Sequence, residues 1–253
     1  MITEFFAGIK SYFNAFHLIS KLRLWKFVLV PGIISVFLGI ALFTVVKLMA
    51  TPFGHWLVSW YPFSWGQDAL FNIAFWIGVV FIVALGLVIY KHLVMIVSAP
   101  FMSPLSERIE QHLAGVERPF SGFSLTRALK DLGRGLYISL RNLIREVLFI
   151  APLLVLSLIP GLGFIPAILI FLIQAYYAGF GNMDYTLERH FNSSESIRFV
   201  KSHRWLAIGN GTVFMFLLMT GLGFLFAPPL AAVAATVETV KRIDVKELDN
   251  EYV

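Results

Sequence analysis

The stretch LIPGLGFIP, residues 158–166, interrupts a long apolar run with two prolines and two glycines in nine residues. Proline removes a backbone donor and glycine loosens the chain, so a helix entering this stretch ends there. The segment before it, Val147–Ile159, is 13 residues long and apolar but for Ser157. As a helix it reaches only about 20 Å, against the roughly 30 Å of a hydrocarbon core. Beyond the break Phe164–Gly179 is apolar again, and Asn182, Asp184, Glu188 and Arg189 read as the return to water. The pattern recurs later. Ala207–Leu218 contains Gly209, Asn210 and Gly211, then Thr220-Gly221-Leu222-Gly223 and Pro228-Pro229 precede Leu230–Val237. Each region reads as a broken helical hairpin with its tip inside a membrane. Non-helical backbone is tolerated there only where protein or water covers it. The competing reading is an ordinary pair of full crossings joined by a tight glycine turn at the outer surface.

The rest of the chain supports a membrane setting. Hydrophobic residues make up 58% of the 253 and charged residues 14%, where soluble domains average about a quarter charged. Leu70–Tyr90 carries no charge across 21 residues. The fold class is therefore an all-α integral membrane protein: two long transmembrane helices, two pairs of short hemi-penetrating helices and amphipathic interfacial helices. With no cysteine, disulfides, thiolate catalysis and Cys-ligated metals are excluded. The net charge of +5 suits an anionic lipid surface rather than nucleic acid.

Residues 2–19 read as an amphipathic helix lying in the interface. The first crossing is Phe27–Met49, the second Ala69–Tyr90 with its apolar pattern continuing to Ala99. Between them, residues 50–68 carry Trp56, Trp60, Tyr61 and Trp65 but no Lys or Arg. Lys10, Lys21, Arg23 and Lys26 precede the first crossing, and a basic block from Lys91 to Arg145 follows the second. The positive-inside rule then puts the N-terminus, and with it the charged C-terminal tail, in the cytoplasm. Pro100 and Pro104 read as a break at the membrane edge, Ser103 capping a new helix. In the basic block, Arg127, Lys130, Arg134, Arg141 and Arg145 oppose Leu125, Leu129, Leu132, Leu136, Leu140 and Leu143. That helix either lies on anionic lipid or funnels anions toward a pore. The whole chain, 1–253, reads as a single membrane domain: an N-terminal interfacial helix (1–26), two long helices (27–99), cytoplasmic or interfacial helices (100–146), a first broken hairpin (147–181), a second (205–237) and a charged tail (238–253).

Three segments carry a family resemblance. SAPFMSPLSERIE (98–110) resembles the Ala-Pro-Phe signature of the CysZ-type sulfate permeases, the bacterial relatives of the etoposide-induced membrane proteins. IPGLGFIPAILIFLIQAYYAGFGNMDY (159–185) resembles that family's Ile-Pro-Gly-Ile-Gly segment with its closing Asp-Tyr pair, and GFLFAPPLAAVAAT (223–236) resembles its last Pro-rich hairpin. The resemblance implies two long helices, two hemi-penetrating pairs, a homo-oligomer, and sulfate uptake across the bacterial inner membrane. It also implies a sulfate site just before the first long helix, at a Gly-Ile/Leu-Arg-Arg-Phe motif. Aligned on Phe27-Val28-Leu29-Val30-Pro31, that motif puts Trp25 and Lys26 at the two arginines and Arg23 at the glycine.

The residues themselves allow an anion there. Pro31 suits a first helical turn, which would leave the amides of Val30–Ile33 unpaired beside Arg23 and Lys26. The plainer reading makes the two cations membrane-edge anchors. Asp184 and Glu188, one turn apart, are candidates for a pathway or for coupling, or simply surface carboxylates. Ala227, Ala231 and Ala235 form a small-residue stripe for close helix packing. His17, His55, His92, His112, His190 and His203 are scattered without metal-ligand spacing, and no nucleophile elbow or nucleotide-binding motif is present. An enzyme, a metal centre and a cofactor are therefore not expected. The expected function is a sulfate or oxyanion permease acting without ATP hydrolysis. The alternative is a non-transporting membrane scaffold of the same fold.

Overall fold

The computed structural model describes residues 1–59, 67–115, 125–157, 159, 163–220 and 223–243. Among these, every regular element is a helix: α1 (Ile2–Lys21), α2 (Trp25–Ser59), α3 (Gln67–Leu113), α4 (Leu125–Ser157), α5 (Phe164–His190), α6 (Ser193–Ser202), α7 (Arg204–Met219) and α8 (Gly223–Val240). α2, α3 and α5 are each long and apolar enough to cross a membrane, and α7 and α8 are shorter apolar helices. The chain is an all-α membrane protein.

The long helices exceed the sequence expectation. α2 has 35 residues and α3 has 47, about 52 and 70 Å at the helical rise. Residues 51–59, expected in the outer loop, are helical and place Trp56 on α2; Trp60, Tyr61 and Trp65 lie outside the described residues. Packing between α2 and α3 overrides the local signals. Phe53 stacks on Phe81 at 6.1 Å, and His55 meets Phe71 at 4.5 Å. The expected break at 98–104 is also absent. α3 runs through Pro100 and Pro104, and tertiary donors take up backbone carbonyls around them: Tyr185 Oη donates to Met95 O at 2.8 Å, and Arg189 Nη1 reaches Ser103 O at 3.4 Å. The carbonyls the two prolines leave without a helical donor are those of Ile96 and Pro100, so these bonds hold α3 against α5 beside the prolines rather than replace the lost ones.

α4 likewise joins two segments read as separate, the basic helix and the 147–157 limb, in one element of 33 residues. Its inward face is Ile138, Asn142, Glu146 and Ile150, all buried, while Leu136 and Leu140 of the leucine stripe are exposed. Leu136 and Leu140 suit a lipid-facing side, while Leu143 of the same stripe packs inward against Ile150 and Val88. The side chains of Arg127 and Lys130 lie outside the described residues.

α5 buries Asn182 and Asp184 instead of returning them to water. Gly209-Asn210-Gly211 does not interrupt α7; it is where α7 is clamped. A Cβ on Gly209 would sit 2.1 Å from Phe5 O of α1, and one on Gly211 1.7 Å from Ala175 O of α5. Asn210 bonds Asn182 at 2.9 Å and the Ala231 carbonyl of α8 at 3.1 Å. Ala227, Ala231 and Ala235 are buried, as close packing of α8 requires.

The two expected hairpins are α4–α5 and α7–α8. Their turns, Pro160-Gly161-Leu162 and Gly221-Leu222, lie outside the described residues. Apolar side chains beside the turns are exposed: Val155, Phe164 and Ile165 in the first, Phe216 and Met219 in the second. Ser157, at the end of α4, lines one cavity with Trp76 and Ile77 of α3. The α3 side of that cavity runs from Trp76 to Phe81, about 14–21 Å from where α3 begins.

Candidate anion site and the buried polar layers

The candidate anion residues sit at the α1–α2 junction. Leu24 N–H donates to Ile19 O at 3.0 Å and Arg23 N–H to Ser20 O at 3.3 Å. This is the Schellman pattern, which puts the residue after the cap in the left-handed region. Arg23 occupies it at φ 55°. Glycine is the usual occupant, since a Cβ there costs roughly 1–2 kcal/mol. Leu24 and Ile19 are both buried and pin the turn.

α2 then starts at Trp25, six residues ahead of Pro31. The unpaired first-turn amides belong to Trp25 and Lys26 rather than to Val30–Ile33, and Phe27 N–H already donates to Leu24 O at 2.9 Å. Pro31 is interior, and Ser35 Oγ donates to its carbonyl at 2.8 Å. Arg23, Trp25 and Lys26 are exposed. Among the described residues neither cation is ion-paired. Trp25 packs edge-on against Phe16 at 5.8 Å. Two cations, two free amides and an open face make a small anion-attracting terminus.

Asp184 and Glu188 lie elsewhere, inside polar layers between helices. Arg134 of α4 donates to Asp184 at 3.2 Å, to Ser196 Oγ at 2.8 Å and to Phe191 O at 2.7 Å. Asp184 thus ties α4, α5 and α6 together. Glu188 accepts from Ser103 Oγ of α3. Next to it, Arg189 Nη2 donates to Glu110 at 2.5 Å and to Ser106 Oγ at 2.8 Å, and His190 meets the other Glu110 oxygen at 2.5 Å. Ser106, Thr186 and Thr236 close a hydroxyl triangle across α3, α5 and α8, with sides of 2.9–3.0 Å.

A second layer was not anticipated from the sequence. Lys91 of α3, fully buried, donates to Glu146 of α4 and to Gln174 O of α5, the latter at 3.0 Å. His92 Nε2 lies 2.9 Å from the second Glu146 oxygen. The sequence carried a faint signal. Lys91 is the first charge after the 21 uncharged residues, and Glu146 is the only acid between Asp131 and Asp184. Lone opposite charges at the ends of apolar runs have to find each other or stay in water. No group of His, Asp and Glu among the described residues has metal-binding geometry.

Comparison with known proteins agrees with the architecture. A family described as Sulfate transporter CysZ/Etoposide-induced protein 2.4 matches residues 11–229. A protein named Sulfate transporter CysZ from Pseudomonas aeruginosa (strain LESB58) is 27% identical over 235 residues, 91% of this chain and 93% of the relative. One of the same name from Pseudomonas paraeruginosa is 26% identical over 235 residues, with the same coverage of each. The matched region runs from α1 into the start of α8, through the junction and the first hairpin, and the chain belongs to the Sulfate transporter CysZ/Etoposide-induced protein 2.4 family.

Proposed function

We propose that the protein is a sulfate permease-like protein of a bacterial inner membrane, carrying sulfate or a similar oxyanion into the cytoplasm without ATP hydrolysis. It is not an enzyme and works as a homo-oligomer in contact with anionic lipids, with both termini cytoplasmic. The observation that carries this reading is family membership along nearly the whole chain, with relatives named as sulfate transporters. The α1–α2 junction supports it: Arg23 and Lys26 flank unpaired amides at the start of α2, with Trp25 shaping the rim. A doubly charged oxyanion gains from both cations and from the helix terminus. Asp184 and Glu188 contribute through Arg134 and Ser103, which fix the helices around the path, rather than as free carboxylates. The two hairpins penetrate the membrane partway.

Liposomes containing the purified protein should take up radiolabelled sulfate, and Arg23→Gln/Lys26→Gln should bring uptake close to the empty-liposome level with assembly unchanged. Full uptake by the double variant would remove the junction from the mechanism. A folded parent that moves no sulfate would overturn the permease reading in favour of a scaffold.

A further inference from the structure

Among the described residues, Arg141, Arg145 and Arg204 are arginines outside the junction without an acidic partner. Arg141 and Arg145 lie one turn apart on α4, close enough to repel each other, and Arg204 begins α7. None of the three is ion-paired among the described residues. Arg141 donates to the neutral Asn142 amide oxygen at 2.8 Å, and Arg204 lies 6.0 Å from the ring of Trp205. The Tyr176 hydroxyl on α5 is within electrostatic reach of all three guanidiniums, and Tyr177 packs edge-on against Tyr176 at 5.1 Å. Like charges held together without a carboxylate call for an external anion.

The depth of the cluster says which anion. Glu146, next to Arg145, bonds Lys91. Lys91 lies 20 residues along α3 from Phe71, about 30 Å, the thickness of a hydrocarbon core. The arginines therefore stand at headgroup level. On the same helix Ile144 and Leu148 are exposed, so the site opens onto acyl chains rather than into an aqueous vestibule. We propose that Arg141, Arg145 and Arg204, with the Tyr176 hydroxyl, bind the phosphate of an anionic phospholipid whose acyl chains lie against Ile144 and Leu148. Basic pockets between membrane helices on the cytoplasmic side recognise such headgroups. This site is separate from the α1–α2 junction and does not depend on whether the protein transports.

The test is native mass spectrometry of the full chain in detergent, offered equal amounts of phosphatidylglycerol and phosphatidylcholine. The parent should retain phosphatidylglycerol selectively. Arg141→Gln/Arg145→Gln should weaken retention roughly thirtyfold, two juxtamembrane charges' worth. Arg141→Lys/Arg145→Lys should keep much of it, and Arg198→Gln, an exposed cation on α6, should leave it unchanged. Circular dichroism of the variants separates lost binding from lost fold. Equal retention of both lipids, or retention unaltered in the folded Gln variant, would overturn the proposal. Displacement of the lipid by equimolar inorganic phosphate would overturn it too, by assigning the site to a free oxyanion.

Discussion

Arg23 does two jobs that a single substitution can separate. Its φ of 55° strains the α1–α2 turn, and its side chain supplies one of the junction's two cations. Arg23→Gly should raise thermal stability by about 1 kcal/mol, because glycine enters the left-handed region without penalty. The same variant should lose sulfate uptake as fully as Arg23→Gln, which keeps the strain. A melting curve in detergent and an uptake assay on the two variants check this. Equal melting temperatures would mean the turn is not under strain. Lys91 poses the opposite case, a charge whose value is structural. Lys91→Met leaves Glu146 buried without a cation and should cost about 3–5 kcal/mol. Adding Glu146→Gln should recover most of that loss, since the amide oxygen still accepts from His92. If the double variant melts as low as the single one, the pair is not acting as a neutralised unit.

At the scale of elements, the membrane character and the order of helices were legible, because uncharged runs such as Leu70–Tyr90 and the Lys/Arg asymmetry are one-dimensional signals. Helix boundaries were not. Pro100, Pro104 and the Gly209-Asn210-Gly211 triplet read locally as breaks, yet α3 and α7 run through them. Tyr185 and Arg189, far away in sequence, bond α3 carbonyls around the prolines, and the α7 glycines let backbones touch. The charges of Arg23 and Lys26 stand in the sequence, but the turn does not; only the coordinates put position 23 in the left-handed region. Lys91–Glu146 was missed because the partners are 55 positions apart and nothing local links them. The α7 clamp has a sharp consequence. A Cβ on Gly211 would meet a backbone carbonyl at 1.7 Å, with no flexible side chain able to yield. Gly211→Val should therefore exceed the usual overpacking cost, losing at least about 3 kcal/mol. Gly133→Ala, which meets nothing within 4 Å on α4, should gain up to about 1 kcal/mol. The monodisperse fraction after extraction and the melting temperature check both, and a Gly211→Val protein that extracts and melts like the parent would show that α5 and α7 are not locked at this point.

For the whole molecule, the open question is how far the α4–α5 and α7–α8 tips reach relative to the α2–α3 hairpin. Ser157 lines a cavity whose α3 side runs from Trp76 to Phe81, and Met219, at the end of α7, shares a groove whose α3 side runs from Val79 to Leu87. Counted from Gln67, these stretches begin about 14 and 18 Å inside the start of α3. If α2 and α3 span the bilayer, both tips end within its apolar core. The exposed Val155, Phe164, Ile165, Phe216 and Met219 around them then meet lipid instead of water. Placing them in water would leave a large apolar patch uncovered. Since the chain has no cysteine, single cysteines report depth without background. In sealed vesicles, Ser59→Cys should react with a membrane-impermeant maleimide from one side. Ser157→Cys and Thr220→Cys should resist it from both sides, and a bimane attached at either should be quenched by brominated acyl chains. Labelling of Ser157→Cys and Thr220→Cys from the same side as Ser59→Cys would make the hairpins full crossings. Resistance with strong quenching would leave two pairs of half-inserted helices packed against one spanning hairpin.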